Sequence, residues 1–374
     1  MAQAYTPGLK VTARTTHRVR RVLPIAGEVL VKQGQKVSAK DIVAQTFMPG
    51  EITPVNLANI LSLPPADVRE CLLKKQGDRI TIGEPLAHSK GIFGLFKNEY
   101  KSKHEGTIEN ISDVTGQMII RGAPIPVQVL AYMAGTVVEI IPDEGCIVEA
   151  EVSFIQGIFG IGGETFGRIV MACKDHTQEL HEDLIKDSMR GGVVIGGARV
   201  TAEAIEQAVK VGAAAIVSGG IDDHDLKEFL GYDLGVAITG SEQKGITIIV
   251  TEGFGEIAMA ERTFRLLHSL EGSEASVNGA TQIRAGVMRP EIIVPVQEDA
   301  AGLAEEKFDP GQLTIGRPVR IIRDPWFGLI GKVAGLPGQP AVLESGSKAR
   351  VLEVRLDSGD SVVIPRANVE LIEG

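Results

Sequence analysis

A short glycine-bounded pattern recurs three times in the first 150 residues. It restricts that region to extended chain folded back by tight turns. The first copy is Gly27-Glu28-Val29-Leu30-Val31, then Gly34 and Val37, with Ile42-Val43-Ala44 following. The second is Gly77-Asp78-Arg79-Ile80-Thr81-Ile82-Gly83 with Leu86-Ala87, and a partial third runs from Ala131 through Gly135-Thr136-Val137 to Ile140, ending in Ile147-Val148-Glu149-Ala150. Glycine supplies turn positions with positive φ, and the alternating apolar runs between the turns read as half-buried strands. A compact β-barrel or sandwich is the expected outcome.

The segment from Asn98 through Gly106 to Ile111 is similar to the strand that follows the modified lysine in biotinyl and lipoyl carrier domains. The glycine turns resemble the strand before it. The wider superfamily is the barrel-sandwich hybrid, which includes unmodified members. In the carriers a lysine-centred tripeptide sits at the hairpin tip. Here that place falls on Leu95, Lys97 stands two positions on without the flanking residues, and Phe47-Met48-Pro49 holds the tip of the first copy. The resemblance therefore implies an unmodified relative spanning residues 1–175, with no cofactor.

Helical spacing interrupts the β pattern near residues 54–75, where Pro64-Pro65 breaks two apolar runs and predicts a helical insert. The tetrapeptide Gly-Ile-Phe-Gly occurs at 91–94 and at 157–160. Its second copy leads into the strand-like Arg168-Ile169-Val170-Met171-Ala172 and not into a helix, so it fails as a dinucleotide fingerprint. Both copies read as glycine loops closing the barrel.

Over 186–297 the periodicity changes. Apolar runs at Gly192–Gly197, Ala213–Ser218, Gly235–Gly240 and Ile246–Thr251 alternate with amphipathic stretches at Ala202–Val211, Asp223–Leu230 and Glu256–Leu270. This alternation predicts an α/β domain with a mostly parallel sheet. After a linker at 298–312, residues 313–374 carry Gly328-Leu329-Ile330-Gly331-Lys332-Val333 and a closing Pro365-Arg366-Ala367-Asn368-Val369-Glu370. These resemble a KOW motif, an SH3-like barrel found in ribosomal proteins and transcription elongation factors. The fold class expected for the whole chain is multidomain α+β: a β-rich barrel-sandwich hybrid, a central α/β domain and a C-terminal SH3-like barrel.

Charge limits the partners. The formal net charge is −10, yet residues 10–40 hold eight basic side chains against Glu28 alone. Arg18, Arg20 and Arg21 therefore have two readings: contact with nucleic acid or an acidic partner, or pairing with the chain's own carboxylates. From 314 to 374 eight basic side chains face seven acidic ones, too balanced for strong nucleic-acid affinity. Cys71, Cys146 and Cys173 lack the spacing of a disulfide framework or zinc site. No apolar run is long enough for a membrane span, and the first residues lack a hydrophobic signal core, so a cytoplasmic location is expected.

In a parallel sheet, ligands collect beyond the carboxyl ends of the strands. Gly219, Gly220, Thr251, Glu252, Gly253, Phe254 and Gly255 fall at such ends, and Thr281 and Arg284 lie in a later polar loop. The segment 253–255 is expected to open a helix whose free N–H groups favour a small anion within reach of Arg284, and in an enzyme reading Glu252 serves as acid or base and Arg284 as the anion clamp. The competing reading is that these glycines only permit tight turns. His176 and His181 lie five apart, on different faces of any helix, so no metal site is expected. The catalytic residues stay unassigned. The favoured expectation is a non-enzymatic adaptor with a protein partner. An enzyme or enzyme subunit using the crevice is the first alternative, and a ribosome- or transcription-associated factor is the second.

Overall fold

The computed structural model describes residues 9–89, 98–231, 240, 244–282, 288–296, 313–321, 326, 329–343, 348–356 and 359–371. Among the described residues the molecule is mostly β, built on a twelve-stranded mixed sheet. From one edge the strands are Phe159–Ile161, Thr247–Phe254, Ala215–Ile221, Val193–Ile195, Glu164–Met171, Glu274–Asn278, Glu291–Pro295, Gly145–Gln156, Gly135–Ile141 and Lys36–Val37. Arg199–Val200 lies beside Ala215–Ile221, and Val11–Val22 beside Gly145–Gln156.

The expected mostly parallel sheet is corrected to a mixed one. Glu164–Met171, Val193–Ile195, Ala215–Ile221 and Thr247–Phe254 run parallel. Parallel neighbours need a crossover, and two helices supply it. Ala202–Val211 starts at Thr201, whose hydroxyl accepts the Ala204 N–H at 3.2 Å, and ends at Gly212. Asp223–Leu230 starts at Asp222 in the same way. Glu274–Asn278 and Glu291–Pro295 instead pair antiparallel, as do the strands beyond them.

The twelve-residue strand Gly145–Gln156 stitches the halves together. Val11–Val22 pairs along its length on one side; on the other side Gly135–Ile141 takes its first half and Glu291–Pro295 its second. One sheet therefore runs across the boundary expected between residues 175 and 186. The second copy of Gly-Ile-Phe-Gly is likewise corrected. It contributes the edge strand Phe159–Ile161 against Thr247–Phe254 and does not close the barrel; the first copy lies outside the described residues.

The recurring turns do fold extended chain back on itself. Glu28–Val29, Ile42–Met48 and Ile125–Leu130 form a three-stranded sheet, which packs on the large one around Val43, Tyr132, Val137, Val148 and Phe154. The described residues between 52 and 121 form a lobe with their own core of Leu57, Leu61, Leu86, Ile108, Met118 and Ile120. The helical insert expected near 54–75 shrinks to Leu57–Leu61 and the 3-10 turn Pro65–Cys71. Asn56 caps the helix and Ser62 adopts the left-handed conformation that ends it after little more than a turn.

The C-terminal sheet is antiparallel and five-stranded, in the order Ser361–Pro365, Val351–Leu356, Ile330–Gly335, Pro318–Ile321 and Val369–Leu371, around Val319, Ile321, Leu352 and Val354. No helix among the described residues is long and apolar enough to cross a membrane.

Candidate functional site

The strand ends expected to line a crevice do come together, and the protein's own backbone fills the space between them. A Cβ placed on Gly219 would lie 2.4 Å from the Ile257 carbonyl oxygen and 2.4 Å from the Met259 nitrogen. One on Gly220 would meet the Gly255 carbonyl at 2.3 Å. Only glycine admits that approach. Hydrogen bonds from Gly255 N–H to the Ile221 carbonyl (2.8 Å) and from Met259 N–H to the Gly197 carbonyl (3.1 Å) fix the covering segment.

The helix expected from Glu256 begins at Glu261. Residues 255–260 run irregularly because they are hydrogen-bonded to the strand ends and not to one another in helical register. Gly253 and Gly255 therefore do not open a helix. Gly253 sits in the strand opposite Gly220, and exposed Phe254 packs its ring 5.0 Å from that of Phe159. Thr251 is buried, with its hydroxyl 3.3 Å from the Ser218 carbonyl.

Glu252 occupies the place foreseen for an anion. One carboxylate oxygen accepts the N–H of Ala260, just before the helix Glu261–Ser269, at 3.0 Å. The other pairs with Arg320 of the C-terminal sheet. Arg320 also lies 3.8 Å from Glu370, which lies 3.3 Å from Arg289. Burial lowers the pKa of Arg320, opposed by the Glu370 charge, and raises that of Glu370, opposed by Arg289, Arg320 and the Leu9 backbone. Several of these carboxylate oxygens are charge-paired without hydrogen-bond geometry, and a cavity of about 230 Å³ adjoins them between Leu9, Gln156, Thr251 and Leu371. Sequence reasoning missed Arg320 and Glu370, which carried no local signal beyond the KOW-like pattern.

The other nominated residues disperse. Thr281 accepts the Gly160 N–H at 2.9 Å and ties the loop after Asn278 to the edge strand. Arg284 and Lys97 lie outside the described residues. Arg18 pairs with Glu149 (2.5 Å), Arg20 with Glu144 (3.3 Å), and Arg21 makes two bonds to Glu164 (2.6 and 2.7 Å) while its guanidinium lies over the Tyr132 ring. Their pairing thus follows the internal reading, on strand Val11–Val22. His176 donates from Nδ1 to the Met259 carbonyl, whereas His181 pairs with Glu179, and among the described residues no group of side chains suits a metal ion.

A further buried cluster went unread. Tyr132 adopts φ +67, with its hydroxyl out of hydrogen-bond geometry beside Glu291. Burial pushes the Glu291 carboxyl up to about 7; the Tyr132 hydroxyl and Arg21 oppose the rise, and Glu164 reinforces it. The three cysteines are free and buried, and burial pushes the Cys173 thiol up to about 11, which removes it as a nucleophile near neutrality. The chain matches no protein-family model and no curated protein.

Proposed function

We propose that this chain is a cytoplasmic, non-enzymatic adaptor. In this reading an unmodified barrel-sandwich hybrid and a KOW-like recognition barrel are held at fixed orientation by the central sheet. The observation that carries the proposal is the state of the strand-end crevice. Its glycines are spent on admitting the chain's own segment 255–259, and its anion position is taken by Glu252 with Arg320 as the counter-charge. A crevice used this way supports a joint between parts of the protein over a seat for substrate.

Two further features support the reading. The first and third glycine-turn copies fall in two sheets that share one core, an arrangement compatible with a barrel-sandwich hybrid, and the five-stranded antiparallel C-terminal sheet has the strand number of a small barrel. The internal pairing of Arg18, Arg20 and Arg21 weighs against the reading in which this segment meets nucleic acid.

Affinity purification of the full chain from its native cells, with mass spectrometry of proteins and extracted small molecules, tests the proposal. A stoichiometric protein partner is expected. Recovery of the chain alone with a turned-over metabolite would replace the adaptor by an enzyme.

A further inference from the structure

Filling the Gly219–Gly220 approach displaces the ligand question to a neighbouring opening on the same side of the sheet. A groove of about 320 Å³ lies between residues 174–176 and the helix Glu261–Ser269. The strand Glu164–Met171 is parallel to Val193–Ile195, so residues 174–176 leave the sheet at the carboxyl ends of the parallel strands. That is the side on which open sheets of this kind bind ligands.

The helix lends one face to the groove along its length, since Glu261, Phe264, Arg265, His268 and Ser269 recur at spacings of three and four. Lys174, Asp175 and His176 form the facing wall. The two acids are already engaged: Asp175 accepts the N–H and hydroxyl of Thr177 at 2.9 and 2.6 Å, and Glu261 pairs with Arg265. The His176 ring is pinned through Nδ1 to the Met259 carbonyl at 2.8 Å. Lys174 and His268 are exposed, and neither side chain has an ion-pair or hydrogen-bond partner among the described residues. Lys174 and His268 are therefore the donors of the groove that no other side chain engages. An opening of that size holds more than an inorganic ion.

We propose that this groove binds a small organic phosphomonoester, its phosphate held by Lys174 and His268 and its carbon body lying along the helix face at Phe264. A point-charge ammonium and an imidazole are suited to phosphate oxygens. The groove shares Glu261 with the cavity beside Glu252 and Arg320, but neither Lys174 nor His268 lines that cavity, and the proposal stands whether or not a protein partner is found.

The test is thermal unfolding of the full chain with glucose 6-phosphate, adenosine monophosphate, inorganic phosphate or citrate, each at a series of concentrations. At least one phosphomonoester is expected to raise Tm by several degrees, with a concentration dependence set by mass action and a decline with added salt. The double variant Lys174→Ala, His268→Ala should lose the shift while keeping the unliganded Tm, and Lys174→Arg should retain it. No shift with either phosphomonoester, a shift with citrate or inorganic phosphate alone, or an equal response in the double variant would each overturn the assignment. Should the double variant melt early, the single variant His268→Gln replaces it under the same criterion.

Discussion

Glu252 in the large sheet and Arg320 in the C-terminal sheet form an ion pair with only 3% and 4% of their surfaces exposed. Desolvating either charge alone is costly, so each requires the other. The pair couples two structural units at the point where a parallel sheet ordinarily receives a ligand. Glu370 and Arg289 extend it into a four-residue network.

Gly219→Ala should destabilise the protein by about 1–3 kcal/mol, because the added methyl meets the backbone of residues 257–259. Gly338→Ala is the control: its Cβ would meet nothing within 4 Å and its backbone is outside the left-handed region, so little loss is expected. Urea denaturation separates the two. Equal losses would mean that the covering segment yields and the crevice is open.

The pH dependence of stability should carry the signature of Glu291. Its folded pKa, about 7, stands above the ordinary 4.5. Between those values the native state keeps a proton that the unfolded chain has lost. The stabilising contribution is therefore complete below about pH 4.5 and disappears as pH rises through 7. Relative to Glu291→Gln, the wild type should lose up to about 1.4 kcal/mol per pH unit across this window. Parallel pH profiles for the two proteins would refute the assignment.

Arg18→Gln and Arg20→Gln, at exposed pairs, should each change stability by less than about 1 kcal/mol. Arg21→Gln should cost more, since Arg21 is largely buried, bonds twice to Glu164 and donates to the Leu130 carbonyl at 2.7 Å. Fluorescence anisotropy with single-stranded RNA and duplex DNA at low salt should show negligible affinity for the wild type. Tight binding that weakens steeply with salt and with these substitutions would reinstate the nucleic-acid reading.

Intact-mass measurement should return the mass of the bare sequence, because the carrier tripeptide is missing at both candidate hairpin tips. A biotinyl or lipoyl increment on Lys97 would contradict the unmodified-domain reading.

Local pattern made much of the fold legible. Thr201 and Gly212 bound their helix as capping chemistry requires, and the apolar runs at 193, 215 and 247 are strands. The basic run around Arg18 belongs to the twelve-residue strand Val11–Val22, and its alternation of exposed arginines with less exposed neighbours is the period of a strand beneath the charge pattern. The helix start moved from Glu256 to Glu261 because tertiary hydrogen bonds to Gly197 and Ile221 outweigh local propensity. The residues of the crevice were found, but what fills it was not. Arg320 reaches Glu252 across a long stretch of chain, and no periodicity encodes such a contact. The groove at Lys174 and His268 escaped for the same reason, since its walls meet only in the folded sheet.

The most direct test of the joint is a double-mutant cycle between Glu252→Gln and Arg320→Met, read by urea unfolding of the full chain. If the pair is the joint, each single variant is strongly destabilised and the double variant recovers part of the loss, with a coupling energy above about 1.5 kcal/mol. Additivity within about 0.5 kcal/mol would contradict it, because the two side chains would then not be holding the C-terminal sheet over the strand ends.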